Sequence, residues 1–230
     1  MRKFRVLVVC LILAAFGSTG LFAQESAVKN ADGLRSSDSY TLVGDRNFVT
    51  DYAAMNEDGS INVVIEIPAG TIEKWEVEKS DGSLKWTFES GQPRTVNYLP
   101  YPGNYGMIPA TLLSKENGGD GDPLDAIVLG PAVPRGSVVK AKILGVLKLF
   151  DNGEKDDKVL AVMEESPMYE ANTLIELVEG YPGVINIIEL WFSNYKGQGQ
   201  LESKGFSDVQ MAQNVVKSAI RTYNSQNNRN

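Results

Sequence analysis

Three aspartates within six positions are the feature of this sequence that most clearly suggests chemistry. The stretch GGDGDPLDAIVLG, residues 118–130, places Asp120, Asp122 and Asp125 immediately before an apolar run. Carboxylates this close together repel one another unless solvent or cations reduce the repulsion. Asp120 and Asp122 share a face if the segment is extended, and Pro123 stiffens the turn that follows. The cluster predicts either a solvated surface loop or a cation site.

A second acidic stretch, DNGEKDDK, covers residues 151–158 and follows an apolar run that ends at Phe150. If an extended segment starts at Asp156, then Asp156 and Lys158 face one way and Asp157 faces the other. Two acidic loops at the ends of neighbouring strands would converge on one oxygen-rich cavity. The alternatives are two solvated loops or a single calcium site, although neither stretch has the spacing of an EF-hand.

The absence of two residue types narrows the chemistry further. The sequence contains no histidine and a single cysteine, Cys10, which lies in an apolar run near the N-terminus. A Ser-His-Asp triad, a Cys-His pair and the usual zinc sites are therefore excluded. Carboxylate ligands favour magnesium, manganese or calcium over zinc or copper. The formal charge of −7 and the lack of a basic run after the N-terminus indicate that nucleic acid is not a partner.

The first 23 residues have the pattern of a secretory signal. A basic start, MRKFR, precedes the apolar core VLVVCLILAAFG, and a small residue, Ala23, marks a cleavage point before Gln24. A retained N-terminal anchor is the alternative. Cleavage removes three basic residues and takes the formal charge from −7 to −10. We expect an exported protein, periplasmic or fully secreted, with no stable membrane association after cleavage.

Residues 24–60 are rich in Ser, Asp, Asn and Gly and predict an extended lead-in that is partly packed at best. Residues 61–230 are expected to form the single folded domain. Strands are predicted at residues 62–67, 74–78, 126–129, 137–144, 146–150 and 159–163. Two helices follow, one with Pro182 at its first position and one capped by Ser207. Short strands followed by two helices predict a small β-barrel with helices packed outside it.

Several cationic residues accompany the aspartates. Lys74 and Glu76 lie two apart in a predicted strand and share a face, whereas Trp75 points to the opposite face. Arg94, Lys158 and the pair Tyr195-Lys196 are unremarkable individually. Taken with the acidic loops, they supply what metal-assisted phosphoryl transfer requires, namely carboxylates for metals and fixed cations for phosphate charge.

At this point the sequence resembles a known family. DGDPLD, residues 120–125, is similar to the signature of the family I soluble inorganic pyrophosphatases. The family's other motifs occur here in its order and at similar intervals: VVIEIPAG at 63–70, KWE at 74–76, YPGNYGMIP at 101–109, GVLKLFDNGEKDDK at 145–158 and YK at 195–196. The resemblance covers residues 62–196, and the joint pattern is far more specific than any single motif.

The resemblance implies an α+β, mainly β fold, a five-stranded OB-like closed barrel with two flanking α-helices. It also implies Mg²⁺-dependent hydrolysis of inorganic pyrophosphate, with several ions per active site and Mn²⁺ as a substitute, by a homo-oligomer. The alternatives are a non-catalytic module that binds cations or phosphate, and a related phosphohydrolase that acts on nucleotides or polyphosphate.

Residue roles are also implied by the resemblance. Asp120, Asp125 and Asp156 would hold the first activating metal, Asp125 would be shared with a second, and Asp151 with Asp156 would hold an ion that arrives with substrate. Glu66 and Glu76 match outer carboxylates of the cavity, and Asp122 matches the residue that receives a proton from the attacking water. The phosphate-binding set comprises Lys74, Arg94, Tyr105, Lys158, Tyr195 and Lys196. Because the interval from Glu76 to Arg94 is longer than in compact bacterial members, Lys85 is the alternative to Arg94.

Overall fold

The computed structural model describes residues 28–227, so the predicted signal at residues 1–23 lies outside the described part of the chain. Within that part the chain forms thirteen strands, three α-helices and one 3-10 turn. Strands β1 to β13 are Arg35–Asp38, Thr41–Val43, Ile61–Ile67, Trp75–Val77, Leu84–Trp86, Phe88–Glu89, Gln92–Pro93, Asn104–Met107, Asp125–Leu129, Val138–Asp151, Glu154–Lys155, Lys158–Met163 and Leu201–Ser207. Helices α1 to α3 are Leu174–Gly180, Val184–Asn194 and Val209–Asn227, and the 3-10 turn is Lys115–Asn117.

Five strands close into a barrel. Strand β3 pairs with β8, β8 with β9, β9 with β12, β12 with β10, and β10 returns to pair with β3. The β9–β12 pair is parallel, and the other pairs in the ring are antiparallel. The predicted class, a mainly β protein built on a five-stranded OB-like barrel, is confirmed. The closure is uneven, because β10 is much longer than its partners and also pairs with β11 and β13.

Strand β10 is one continuous element of 14 residues, so the prediction of two separate strands at 137–144 and 146–150 is wrong. The register shifts between Ile143 and Gly145, which turns the strand without ending it. A Cβ at Gly145 would lie 2.7 Å from the carbonyl oxygen of Ser207 and 2.8 Å from Leu174 Cδ1. Glycine is therefore needed here because two neighbouring segments approach the strand closely, and not because the strand breaks.

The helices differ from the sequence prediction at three points. A third helix, α1, was not predicted, because it is 7 residues long and buries only Leu177. Helix α2 starts after Gly183, one position beyond Pro182. Ser207 ends β13 and does not cap α3; the side chain of Asp208 accepts the hydrogen bond from Met211 N at 2.8 Å. Across residues 28–227 no helix combines the length and apolar character that crossing a bilayer requires.

Two faces of the barrel are covered by helices. The buried side of α3 presents small side chains to the barrel, and that of α2 presents larger ones. These residues are Ala212, Val216 and Ala219 on α3 and Ile188, Trp191 and Phe192 on α2. Each set joins an apolar cluster that extends into the barrel strands. Helix α2 therefore holds its C-terminal end, where Tyr195 and Lys196 lie, at a fixed position against the barrel.

The segment before the barrel is more closely packed than the sequence predicted. Strands β1 and β2 join β5 and β4 in a four-stranded sheet with the order β1-β2-β5-β4. Leu42 and Phe48 are each only 3% exposed and pack in the same cluster as Trp75 and Leu84. The sequence predicted too little packing because these apolar residues are isolated among polar ones. Their packing partners come from later in the chain. This segment thus supports β4, the strand that follows Lys74.

We expect Leu42→Ala to lower the free energy of unfolding by about 2–5 kcal/mol, because it removes a buried side chain from a packed cluster. Val43→Ala is the matched control, since Val43 is the neighbouring residue and is exposed. Its effect should stay within about 0.5 kcal/mol. Urea unfolding of both variants measures the difference. Equal stability of the two variants would show that residues before the barrel are not part of the cooperative fold.

Candidate active site

A cavity of about 460 Å³ opens at the barrel end where β9 and β12 begin. All thirteen residues that the sequence singled out line this cavity. They are Glu66, Lys74, Glu76, Arg94, Tyr105, Asp120, Asp122, Asp125, Asp151, Asp156, Lys158, Tyr195 and Lys196. The structure thus brings together residues from a stretch of 131 positions, Glu66 to Lys196, and their individual roles remain predictions.

Lys158 is the most deeply buried charge in the cavity, with its side chain 3% exposed. Its ammonium group binds Asp125 Oδ2 at 2.5 Å and also binds Asp156. Burial alone would lower the pKa of Lys158, but Asp125 and Asp156 outweigh burial and raise it well above its ordinary value. Burial likewise favours a higher pKa for Asp156, yet Lys158 outweighs it and lowers that pKa. Lys158 and Asp156 therefore form an ion pair at neutral pH, and Asp125 contacts the same ammonium group.

Parallel strand pairing places this unit. Asp125 and Lys158 are the first residues of β9 and β12, and they are direct partners in the parallel register. Tyr105 on β8 donates its hydroxyl hydrogen bond to Asp125 Oδ2. A Cβ at Gly106 would lie 1.8 Å from the carbonyl oxygen of Val64, so glycine allows β8 to approach β3. Three adjacent strands thus present side chains at one point.

The loop before β9 carries the other two aspartates of DGDPLD. The backbone N–H of Asp122 donates to Asp120 Oδ1 at 2.9 Å, so the loop curls back on itself. Burial, with added repulsion from neighbouring carboxylates, raises the pKa of Asp120 to about 6. Asp122 stands nearer the rim with its side chain 52% exposed, and it is bound by the ammonium group of Lys79. Of the two, Asp122 is therefore the more accessible to water.

The opposite wall is built by β3 and β4. Lys74 is 7% exposed, and its ammonium group lies 3.1 Å from Glu76 Oε1. Burial alone would lower the pKa of Lys74, but surrounding groups, including Tyr101 and Glu76, raise it well above its ordinary value. Glu66 accepts a hydrogen bond from Val77 N at 2.7 Å, which joins the two strands. Burial, assisted by the charge of Asp125, raises the pKa of Glu66 to about 8.

An aromatic cluster holds the two tyrosines that line the cavity. Tyr195 stacks on Trp191 with ring centroids 4.6 Å apart and an interplanar angle of 8°. Tyr105 packs against Phe192 at 5.7 Å. The ammonium group of Lys74 lies 5.1 Å from the centroid of the Tyr105 ring, within range of a cation–π contact. The packing of α2 on the barrel therefore fixes both hydroxyl groups and the adjacent Lys196.

Arg94 and Lys85 both line the cavity, so position alone does not choose between them. The ammonium group of Lys85 lies 3.2 Å from Asp81 Oδ2 and 3.7 Å from Glu78 Oε2. The Arg94 guanidinium makes no ion pair within the described part of the chain, which favours Arg94 as the group available to substrate. The longer interval before Arg94 is occupied by the β6–β7 hairpin.

The strand-facing prediction for the second acidic loop is confirmed. Asp156 and Lys158 face the cavity, whereas Asp157 points away from it and binds Lys148.

Three further charged residues line the cavity that the sequence did not single out, namely Glu78, Lys79 and Glu154. Glu154 lies between Asp151 and Asp156 and could have been found from its place in that motif. Lys79 could not, because only the fold brings it to Asp122.

The chemistry of the cavity fits divalent cations with oxygen ligands. Six carboxylates predicted as ligands line it, and the pKa values of two of them, Glu66 and Asp120, are raised by burial and by neighbouring carboxylates. Within residues 28–227 no three of them form a ready-made group around one cation, and Lys158 lies between two of them. A cation held here would compensate Glu66 and Asp120 and compete with the lysines for carboxylate oxygens.

The chain is similar to several known proteins. A sequence profile described as inorganic pyrophosphatase matches residues 63–224. The inorganic pyrophosphatase of Agrobacterium fabrum is 34% identical over 181 residues, which cover 74% of this chain and 94% of that protein. The crystal structure of type I inorganic pyrophosphatase from Toxoplasma gondii superimposes with a TM-score of 0.77 at 26% identity, covering 86% of this chain and 97% of that one. An N-terminally truncated Trypanosoma cruzi vacuolar soluble pyrophosphatase in complex with PPi gives a TM-score of 0.70 at 26% identity, covering 80% of this chain and 76% of that one.

The fold is an OB-like barrel, and the cavity at one end of it is lined by buried lysines and by carboxylates. This fold and this cavity, together with the similar proteins, define a phosphoric anhydride hydrolase. The match extends through the barrel and all the motifs of the cavity. The chain belongs to the family I soluble inorganic pyrophosphatases, enzymes that hydrolyse diphosphate. The predicted family and enzyme class are confirmed.

The raised pKa of Glu66 predicts how stability depends on pH without divalent metal. Folded Glu66 keeps its proton up to about pH 8, whereas the unfolded chain releases it near pH 4.5. The free energy of unfolding should therefore fall as pH rises through this window, by at most about 1.4 kcal/mol per pH unit. Between pH 6 and 8, Glu66→Gln should remove this decrease, because glutamine does not titrate.

Urea unfolding in the presence of a chelator measures this difference. Glu57→Gln, an exposed carboxylate outside the cavity, is the matched control and should keep the wild-type slope. If wild type and Glu66→Gln lose stability in parallel over this window, then Glu66 is already ionised in the folded protein.

Proposed function

We propose that this pyrophosphatase is Mg²⁺-dependent and that it acts after export from the cytoplasm. The observation that supports metal dependence is the convergence of nine carboxylates and six cationic side chains on one cavity. Such a site suits a small polyanion brought in with divalent cations, because both the attack and the leaving group need charge neutralisation. The PPi complex of the similar Trypanosoma cruzi protein supports the same substrate here.

The donor set favours Mg²⁺, with Mn²⁺ as a substitute. The ligands would be Asp120, Asp125, Asp151 and Asp156, with Glu66 and Glu76 in outer positions. All are hard oxygen donors, and the sequence supplies no histidine to favour zinc. When bound, Mg²⁺ would lower the pKa of a coordinated water and offset phosphate charge. Asp125 and Asp156 would then exchange part of their contact with Lys158 for the ions.

The cationic wall would bind the phosphate oxygens. Lys74 and Lys158 are fixed by burial, and Lys196 is held at the end of α2 by Asp151. Arg94 has a guanidinium available to pair with two oxygens of one phosphoryl group. Tyr105 and Tyr195 would donate hydroxyl hydrogen bonds from the aromatic cluster. Fixed donors lower the reorganisation needed as charge moves to the leaving phosphate.

Asp122 is assigned as the proton acceptor. Its side chain is half exposed at the rim, on the same loop as the predicted ligand Asp120. A water oxygen attacks one phosphorus, its proton passes to Asp122, and the P–O bond to the bridging oxygen breaks. The second phosphate leaves with that bridging oxygen. Lys79 now binds Asp122, so this contact must open or shift for the water to take its place.

Substitution of Asp122 and substitution of Asp125 should impair hydrolysis in different ways. Asp122→Asn keeps shape but accepts protons very poorly, so turnover should fall by about 10²–10⁴ with metal binding largely intact. Asp125→Asn weakens a ligand predicted to be shared by two ions, so its activity should recover partly as Mg²⁺ is raised. Phosphate release and calorimetric Mg²⁺ titration measure both effects.

Asp157→Asn is the matched control for these variants, because it makes the same chemical change one position from Asp156 but outside the cavity. It should keep most of the activity. Rescue of Asp122→Asn by added metal, with no rescue of Asp125→Asn, would reverse the two assignments. Undetectable phosphate release by folded wild-type protein in millimolar Mg²⁺ would overturn the proposed hydrolysis, and equal release with and without Mg²⁺ would overturn the proposed metal dependence.

The proposal of export rests on the sequence of residues 1–23, with a basic start, a short apolar core and a small residue at the boundary. We expect N-terminal sequencing of the protein from the extracytoplasmic fraction to find a start near Gln24. Full-length protein held in the membrane fraction would favour a retained anchor and contradict cleavage.

A homo-oligomer is also proposed. Helices α1 and α2 and the nearby loop present several large apolar side chains to solvent, namely Leu99 67%, Ile175 70%, Ile187 61% and Leu190 65% exposed. Leu99 lies beside α2, because its carbonyl oxygen accepts a hydrogen bond from Trp191 Nε1. Apolar groups gathered on one surface favour contact with another protein surface. Sedimentation of the mature protein distinguishes monomer from oligomer.

A further inference from the structure

A buried polar cluster lies behind the segment that carries the cavity residues Lys74 and Glu76. Arg135, in the turn before β10, is 3% exposed. Its guanidinium carbon lies 4.6 Å from the centroid of the Trp75 ring, and its Nη2 lies 3.5 Å from Glu73 Oε2. Its Nε donates a hydrogen bond to the carbonyl oxygen of Glu66 at 3.1 Å. One side chain therefore touches both β3 and the segment that enters β4.

This arrangement is unfavourable by ordinary stability criteria. Arg135 Nη2, Glu73 Oε2 and Trp75 Nε1 are all buried without a hydrogen-bond partner in the described part of the chain. Burial lowers the pKa of Arg135 to about 10 while Glu73 opposes the shift, so the guanidinium stays charged at neutral pH. A buried, incompletely satisfied ion pair contributes little net stability. The Arg135–Glu73 pair is therefore better explained by the segments that it joins than by a contribution to the stability of the fold.

The groups that Arg135 contacts alternate with cavity residues along the chain. Glu73 and Trp75 flank Lys74, and Trp75 precedes Glu76. Because neighbouring side chains of an extended segment point to opposite faces, Arg135 contacts the back of the segment whose front carries Lys74 and Glu76. On β3 it binds the main chain of Glu66, whose side chain faces the cavity.

We propose that Arg135 is a positioning residue for pyrophosphate hydrolysis, which fixes the back of the Glu73–Glu76 segment to β3 and so sets Lys74 and Glu76 relative to Glu66. Val77 N and Glu66 Oε1, 2.7 Å apart, join the same two strands from the cavity side. The segment is then held from both faces. A displacement of about 1 Å at a reacting site can change rates by as much as 10²-fold, so a rigid wall has catalytic value.

The chain ahead of the barrel fixes Arg135 in turn. The N–H of Arg135 donates to the carbonyl oxygen of Lys29, and Ala31 N donates to the carbonyl oxygen of Arg135, each at 2.8 Å. Lys29 and Ala31 precede the part of the chain that matches the family profile. Arg135 thus couples this preceding segment to the cavity wall without itself lining the cavity.

The test removes the buried charges as a pair, so that neither is left uncompensated. The variant is the double substitution Arg135→Met and Glu73→Gln. The control is the double substitution Lys140→Met and Asp58→Asn, which removes an exposed ion pair with a 2.6 Å contact on the surface. Purified full mature chains are compared by steady-state phosphate release over ranges of pyrophosphate and Mg²⁺, and by thermal unfolding.

We expect the buried-pair variant to raise KM for pyrophosphate and the half-saturating Mg²⁺ concentration by about tenfold, with kcat changed less. On the proposed function, Lys74 and Glu76 would bind ligands in the ground state as well as in the transition state, so their displacement would weaken both. Arg135→Lys keeps the charge beside Glu73 but loses the planar contact with Trp75, and should show a smaller shift in the same direction.

A lower melting temperature with KM and Mg²⁺ dependence equal to those of the control, per folded molecule, would show that Arg135 is only structural. If the buried-pair variant does not fold, Arg135→Lys decides the question. Wild-type KM and Mg²⁺ dependence in folded Arg135→Lys would overturn the proposal, and a rise in both would support it.

Discussion

The buried ammonium group of Lys158 between Asp125 and Asp156 is the interaction on which the rest of the site depends. Several carboxylates cannot be gathered in a part-buried cavity unless positive charge accompanies them. Lys158 supplies that charge from within the barrel, and its low exposure prevents it from being released to solvent. The carboxylates thereby stay close enough to share the cations that hydrolysis of a polyanion is proposed to need.

The barrel meets this requirement through its single parallel pair. Because β9 and β12 run in the same direction, their first residues, Asp125 and Lys158, lie side by side at one end. The acidic loops that precede each strand must then open at that same end. An antiparallel pair would have separated the two loops by the length of a strand. The chemistry therefore follows from topology as much as from residue type.

The wall formed by β3 and β4 meets a different constraint, because Glu76 lies on a strand of only three residues and Lys74 immediately precedes that strand. So short a strand has few hydrogen bonds of its own to fix its position. Here β5 and β2 continue the sheet on one side, while Arg135 and Glu66 hold it against the barrel on the other. The segment ahead of the barrel is thus part of the support of the cavity.

The sequence by itself determined the types of ligand and much of their local arrangement. The lack of histidine fixed an oxygen-based chemistry, DGDPLD fixed three carboxylates in one loop, and strand alternation separated Asp156 from Asp157. These features follow from neighbours along the chain, where spacing alone decides which side chains share a face. The family motifs added the barrel and thirteen of the residues that line the cavity.

Only the tertiary structure decided which distant groups meet. It joined Lys79 to Asp122, placed Arg135 behind Trp75, packed Leu42 into the fold and kept β10 continuous through Gly145. A short helix such as α1 has too few turns to leave a periodic signal. Contacts between residues far apart in sequence depend on register, strand curvature and the shape of the surface that receives them. Those properties belong to the whole packed chain, so no local pattern of residues encodes them.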